Sequence, residues 1–377
     1  VKGTKTVLIS AYLEHRTDKK EVRVIALVLR SEKVAYRCLF RCQEKQLLSN
    51  SVADIHTDHF GFAYGTADIM CPIPSGCETP SSIAVTSAVA NSTDDPSQEF
   101  LEVKNQQEKT HSFPYNFTVC ISTMYNFTNV LQLVQSLEML QLLGVNRVVV
   151  YKTNCSPETQ RILDYYTQKG LLEVIPWSLS RYLKVSRYWQ PSLGPGELHY
   201  FGQIPALNDC LYRYMYQSKY VALHDIDELI LPQKLLPLLE KKYGANKCYR
   251  FENHVFPINF MLPPPASQTL PPQADWKNVP GLNILAHLYK ESIFTETHSN
   301  FKIIVNPRAV FSTTVHGALN AQHGWSALVF AFCRIPTQKN LTKDKLIYDG
   351  RLLSYSAHFI PAVNKVLRET GFLPRTH

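Results

Sequence analysis

The spacing of apolar residues changes once along the chain. From Lys5 to Cys71 they fall in short alternating or β-branched runs: Thr6–Tyr12, Val22–Leu29, Val34–Phe40 and Phe60–Ile69. Ile83–Ala90 and Phe100–Val103 follow in the same manner. A period of two with no helical period between predicts a small antiparallel β-sandwich over residues 1–112. Polar, turn-rich stretches at Asn91–Pro96 and Lys104–His111 place its boundary near residue 112.

Residues 113–377 read differently. Phe117–Thr123 predicts a buried strand, and Val130, Leu131, Val134, Leu137, Leu140 and Leu143 form one helical face closed by Gly144. Val145–Tyr151 is a second strand. Ser156-Pro157-Glu158 then supplies an N-cap, an N1 proline and a first-turn acid, opening a helix that runs to Gly170. A strand at Leu171–Trp177, a helix at Ile204–Gln217 and a strand at Lys219–His224 continue the alternation. Such alternation predicts an α/β domain with a parallel sheet, whose ligands bind at the carboxyl ends of the strands. Lys247–Phe256, Phe301–Val305 and Ala309–Thr313 predict further strands around a proline-rich excursion at 263–272, and Lys343–Arg368 predicts a closing helix.

Candidate chemistry gathers where the Lys219–His224 strand ends. Asp225 and Asp227 are spaced i, i+2, so in extended backbone they point the same way, and Glu228 adds a third acid. Like charges so close are relieved by a divalent metal. An isolated Asp-x-Asp is more often a polar turn, so the weight comes from the strand–helix units before it. On the preceding helix, Asn208 shares a stripe with Ile204, Leu211 and Met215; a buried amide there serves either a backbone carbonyl or a ligand, and Gln203 lies beside the same crevice. His316 is a further metal ligand if the sheet returns it toward Asp227.

At 377 residues, 45% hydrophobic and 19% charged, the chain has room for two cores and contains no apolar run that could span a bilayer. The formal net charge of +8 resides after residue 112 without forming a dense basic tract, which argues against a nucleic-acid partner. Acceptor sequons for N-glycosylation begin at Asn91, Asn116, Asn126, Asn154 and Asn340. The nine cysteines lack paired metal spacing, so disulfides are expected, with one thiol left over. Together these features suggest a luminal or extracellular portion whose targeting segment lies upstream of Val1.

Several motifs in order resemble glycosyltransferase family 92: Ser10-Ala11-Tyr12, Tyr200-Phe201-Gly202-Gln203 with Asn208-Asp209-Cys210, His224-Asp225-Ile226-Asp227-Glu228, Lys302-Ile303-Ile304-Val305-Asn306-Pro307 and Val315-His316. Within that family the chain is most similar to the bird-type enzymes that add galactose to terminal galactose of N-glycans. The resemblance implies a GT-A catalytic domain, an inverting mechanism and UDP-galactose as donor. It further implies a terminal-galactose N-glycan acceptor and a Golgi-lumen location as the ectodomain of a type II membrane protein. It makes Asp225 and Asp227 the metal pair and His316 a further ligand, and it assigns the uridine to Thr118–Tyr125, with Thr123 and Tyr125 as donor contacts beside Gln203, Asn208 and Asp225. Imidazole among carboxylates favours Mn2+, with Mg2+ as the substitute.

Inversion requires a base for the acceptor hydroxyl. Glu228, Glu252, Asp275, Glu291 and Glu296 are the candidate acids, and Glu296 is preferred because it follows the proline-rich rim. Two other classes compete. A haloacid-dehalogenase-like hydrolase would use Asp-x-Asp as nucleophile and acid, but would carry it near the start of its domain. A non-enzymatic carbohydrate-binding or adhesion protein would explain the sandwich and sequons, but not the acids.

Overall fold

A computed structural model describes residues 1–89, 98–230, 235–244, 247–292, 301–322, 327–334 and 342–375. They divide into two compact units. One joins Val1–Pro114 to Trp177–Lys219 and Phe311–Val315; the other joins Tyr115–Pro176, Tyr220–Val310 and His316–His377. The first break falls at Pro114, beside the change of period, but the later segments make both units discontinuous. The α-helices among the described residues are α1 (Val130–Leu142), α2 (Pro157–Gln168), α3 (Gln203–Arg213), α4 (Leu235–Tyr243) and α5 (Ser356–Glu369). None is long and apolar enough to cross a membrane.

In the first unit, β1 (Val7–Glu14), β2 (Glu21–Leu29), β3 (Tyr36–Cys42), β4 (Lys45–Asn50), β5 (Val52–Ile55), β6 (Tyr64–Pro72), β7 (Ser82–Ser87) and β8 (Leu101–Lys104) form one sheet. Its order is β4-β3-β7-β8-β1-β2-β6-β5. The expected sandwich of two antiparallel sheets is therefore corrected: β1 and β8 pair in parallel, which makes the strands continuous. The sheet also curls upon itself. Cys38 of β3 and Cys71 of β6 are bridged with Cα atoms 5.9 Å apart although four strands separate β3 from β6, and Cys42–Cys77 adds a second bridge. The curl encloses Ala11, Val24, Ala26, Phe40, Ile69 and Val85. Outside these bridges, Cys120 and Cys210 are disulfide-bonded, whereas Cys155 and Cys248 are free thiols.

Helix α3 joins this unit through buried polar groups. Asp209, 1% exposed, accepts hydrogen bonds from Ser10 Oγ at 2.6 Å and Tyr12 Oη at 2.7 Å, and pairs with Arg213 at 3.1 Å. One turn further, Tyr212 Oη donates to the Phe311 carbonyl at 2.7 Å, while the Arg16 and Arg23 guanidinium groups stand 5.0 and 5.2 Å from its ring centroid. Glu14 receives both arginines, and Asp68 receives Arg23 and His56. These bonds explain why α3 joins strands about two hundred residues upstream and why Phe311–Val315 joins α3: buried polar and charged groups require partners.

The second unit is built on β9 (Tyr115–Met124), β10 (Arg147–Lys152), β11 (Leu172–Pro176), β12 (Ser218–Leu223) and β13 (Cys248–Val255). It continues with β14 (Tyr289–Glu291), β15 (Phe301–Val305), β17 (Gly317–Ala321), β18 (Ala327–Arg334) and β19 (Leu346–Tyr348), whereas β16 (Val310–Thr314) falls in the first unit from Phe311 onward. Seven of these strands form a sheet in the order β11-β10-β9-β12-β15-β13-β18. β10 runs parallel to β9 and β11, and β13 parallel to β18. β15 runs antiparallel to both β12 and β13, so the wholly parallel sheet is corrected to a mixed one. The expected helix starts hold: Ser156 caps α2 by accepting from Thr159 N, and Val134, Leu137, Phe359 and Val363 of α1 and α5 fill the core. The closing helix begins only at Ser356, after β19 and a 3-10 turn.

Removing Asp209 should leave two hydroxyls and a guanidinium without their acceptor. Asp209→Ala is expected to cost about 3–5 kcal/mol in urea unfolding, the range for breaking a buried ion pair; a loss under about 0.5 kcal/mol would contradict this. His56 supplies a pH signature. Burial lowers its pKa, but the Asp68 hydrogen bond and charge outweigh burial and raise it above the usual 6.5. The stability contributed by charged His56 is thus complete below 6.5 and lost as pH rises through the raised folded value. Melting temperature should decline above neutrality more steeply in the parent than in His56→Gln, and parallel pH profiles would exclude this linkage.

Candidate active site

The acidic motif lies beyond the end of β12, next to β9 at the sheet's centre. β10 and β11 extend from β9 on one side, and β12 begins the other half, so the motif occupies a switch point in strand order. The strand ends at Leu223, and Ile226 and Asp227 lie in a turn. The extended i, i+2 geometry is therefore replaced by a closed turn. Glu228 N donates to the Asp225 carbonyl at 3.2 Å, and Asp225 N donates to Glu228 Oε2 at 2.9 Å.

This turn sorts the three acids. Glu228 is wholly buried, whereas Asp225 and Asp227 are partly exposed. Lys302 of β15, 2% exposed, lies between two of them: its Nζ is 3.0 Å from Asp225 Oδ2 and 3.2 Å from Glu228 Oε2. Burial pushes the Glu228 carboxyl up to about 7, against the Lys302 ammonium, which pulls it down. Asp225 is further placed by Ser122 Oγ of β9, 3.4 Å from Oδ1. His224 is buried with Nδ1 2.9 Å from the Asp225 carbonyl oxygen, and burial lowers its pKa to about 4, so the ring is neutral near pH 7.

Lys302 opens the Lys302–Pro307 motif, and its role becomes visible only through these contacts. Its signal is the sequence Phe-Lys-Ile-Ile-Val, in which one cation interrupts an otherwise apolar buried strand. Such a residue needs a buried anion. Ser122 left no comparable signal.

The other expected site residues fare differently. Asp225, Asp227 and His316 do not form a three-ligand cluster, and among the described residues no group of three His, Cys, Asp or Glu does. His316 Nδ1 is 3.3 Å from the Phe301 carbonyl oxygen, which places it one residue along β15 from Lys302. Two partly exposed aspartates fit a hard divalent cation as oxygen donors, and the buried ammonium, not a third protein ligand, balances the Asp225–Glu228 pair. Thr123 ends β9 with Met124, and Tyr125 follows, both partly buried. Asn208 takes the backbone alternative: its amide donates to the Ile204 and Thr313 carbonyls at 2.9 and 2.8 Å, and its oxygen accepts from Thr313 N at 2.9 Å. Gln203, 4% exposed, opens α3 in the first unit.

Among the candidate bases, Glu228 is committed to the turn and Asp275 is exposed. Glu252 has its backbone in β13, but its side chain lies outside the described residues, as does all of Glu296. Glu291 of β14 keeps a buried oxygen, Oε1, that has no hydrogen-bond partner among the described residues, and burial raises its pKa.

An α/β unit with an acidic turn at its switch point belongs to the broad class of ligand-binding open-sheet domains. The glycosyltransferase family 92 model matches residues 115–343, beginning at the first residue of the second unit, and the chain belongs to that family. A glycosyltransferase family 92 protein of Caenorhabditis elegans is 30% identical over 127 residues, which cover 33% of this chain and 25% of that protein. The match thus spans about a quarter of that relative's length. Solved structures with some likeness include glucosyl-3-phosphoglycerate synthase from Mycobacterium tuberculosis in complex with Mn2+, UDP and glucosyl-3-phosphoglycerate. It is 10% identical, covers 70% of this chain and 82% of its own, and gives a TM-score of 0.27. Residues 1–349 of S. aureus TarS are 13% identical, with coverages of 67% and 65% and a TM-score of 0.29.

Lys302→Met should leave Asp225 and Glu228 facing each other without a cation. We expect a loss of about 3–5 kcal/mol in unfolding free energy, together with faster amide exchange at Asp225, whose N–H closes the turn. Parent-like exchange at Asp225 in the variant would show that Lys302 does not hold the turn.

Proposed function

We propose that this family 92 glycosyltransferase moves galactose from UDP-galactose to a terminal galactose on glycoprotein N-glycans, with inversion, in a GT-A catalytic domain. The observation that carries this reading is the turn of Asp225 and Asp227, locked by Lys302 at the switch point of the sheet. Family membership favours transfer over the hydrolase and adhesion alternatives. A divalent ion, Mn2+ by preference, would supply Lewis-acid stabilisation of the departing diphosphate. Asp225 and Asp227 would hold it as oxygen donors. Lys302 keeps Glu228 inward, so that Asp225 is presented beside Asp227. Thr123 and Tyr125 at the end of β9 take the uridine.

The proton of the acceptor hydroxyl passes to a carboxylate. Glu296 is the candidate by position in the sequence, and Glu291 by its unpartnered oxygen. The β1,4 linkage and residence in the Golgi lumen belong to the same reading, and rest on the resemblance of the motifs.

Asp225→Asn and Asp227→Asn should each reduce transfer more than about hundredfold and abolish the Mn2+ dependence of UDP binding, because each replaces a charged oxygen ligand at nearly constant volume. Full transfer by the double variant in chelator would remove the metal from the reaction. For the base, Glu296→Gln and Glu291→Gln should be compared, and the one that lowers turnover while UDP affinity stays unchanged identifies it. The proton coupling constant at the new anomeric carbon decides stereochemistry: a β-linked product is expected, and an α-linked product would overturn inversion.

A further inference from the structure

Large exposed apolar side chains concentrate in one loop of the first unit. Tyr182, Tyr188, Trp189 and Leu193 are 64, 41, 53 and 49% exposed and lie within residues 181–193. Arg181, Lys184 and Arg187 alternate with the rings in sequence and are exposed too. Apolar surface gathered in this way marks a binding site when the backbone beneath it is fixed.

The backbone is fixed here. Glu197 N donates to the Lys184 carbonyl at 2.6 Å and Ser186 N to the Leu198 carbonyl at 2.9 Å, so the ends of the loop are tied together. Glu197 also accepts from Lys184 N through its side chain at 2.8 Å, and its carbonyl accepts from Tyr64 N of β6 at 2.9 Å. Two glycines permit the closure. A Cβ on Gly194 would lie 2.1 Å from the Tyr188 ring, and one on Gly196, at φ +152°, would lie 2.4 Å from Ser186. The loop then enters α3 through Tyr200, Phe201 and Gly202, all in the left-handed region with φ of 23, 53 and 72°. Left-handed Tyr and Phe persist only where surrounding contacts over-determine them.

We infer that residues 181–193 form a preorganised platform for the acceptor saccharide, with Trp189 as its stacking ring. A pyranose presents an apolar C–H face and a rim of hydroxyls; an indole or phenol covers the first, and interspersed cationic donors reach the second. The loop lies within the segment matched by the family, whose members transfer sugar to an acceptor that must be held as well as the donor. Neutral hydroxyl-rich ligands fit this alternation of ring and donor better than an anionic lipid surface, which would favour a continuous basic face. The inference rests on the transferase reading for its acceptor but not for saccharide binding itself.

The test uses the full chain with lactose as galactose-terminated probe. Saturation-transfer NMR should show transfer from protein to lactose that Trp189→Ala abolishes and Trp189→Phe partly restores. In transfer assays Trp189→Ala should raise the acceptor KM by about tenfold or more, while acceptor-independent donor hydrolysis and UDP affinity stay at parent values. Lactose contact and acceptor KM both unchanged in Trp189→Ala would overturn the platform. So would an effect confined to sedimentation with phosphatidylserine vesicles, which would assign the loop to a membrane surface. If the parent transfers no galactose but lactose contact still depends on Trp189, the donor reading fails and the platform stands.

Discussion

A lysine ammonium inside a β-sheet must be balanced, because an unpaired charge there costs several kcal/mol. In the second unit Lys302 is balanced by Asp225 and Glu228, which come from a single turn, and that constraint shapes what surrounds it. β15 must lie beside β12 for the ammonium to reach, and the turn must close so that Glu228 faces inward. Once Glu228 is withdrawn, Asp225 and Asp227 are the acids left partly exposed at the switch point. A strand that serves only packing has no use for such a cation. The arrangement stores two functions in one residue: it stabilises the turn, and it sets which carboxylates can meet a ligand.

The first unit obeys the same rule. Its strands carry Glu14, Arg23 and Asp68 inward, and the helix that arrives from far along the chain brings Asp209 and Tyr212 to complete the network. Two of the short motifs by which the chain resembles its family, Ser10-Ala11-Tyr12 and Asn208-Asp209-Cys210, are the two sides of one hydrogen-bonded contact. In this chain both motifs serve that structural contact.

Much of the fold was legible because burial writes a period into the sequence. The starts of α1 and α2, the strands β9 to β12 and the location of the acids after β12 all followed from apolar spacing and caps. β4 and β5 escaped notice because they are the two edges of their sheet and carry mostly exposed residues, leaving no alternation to read. The antiparallel direction of β15 was equally hidden, since strand direction is set by the connection and not by composition. At the site, the acids could be found from spacing, but their turn geometry and the role of Lys302 could not. A cation's partner is a property of tertiary contact. Asn208 illustrates the converse: a polar residue on a buried stripe reads equally as a backbone partner or a ligand contact, and here it bonds the backbone of Ile204 and Thr313.

In the proposed function the turn after β12 presents two carboxylates to a metal-bound nucleoside diphosphate. Calorimetric titration of the unaltered chain with UDP, in Mn2+ and again in chelator, tests it most directly. Measurable affinity with Mn2+ and a loss of at least about tenfold without it are expected, since the ion would offset the repulsion between the protein carboxylates and the phosphates. Equal affinity in the two conditions would contradict it.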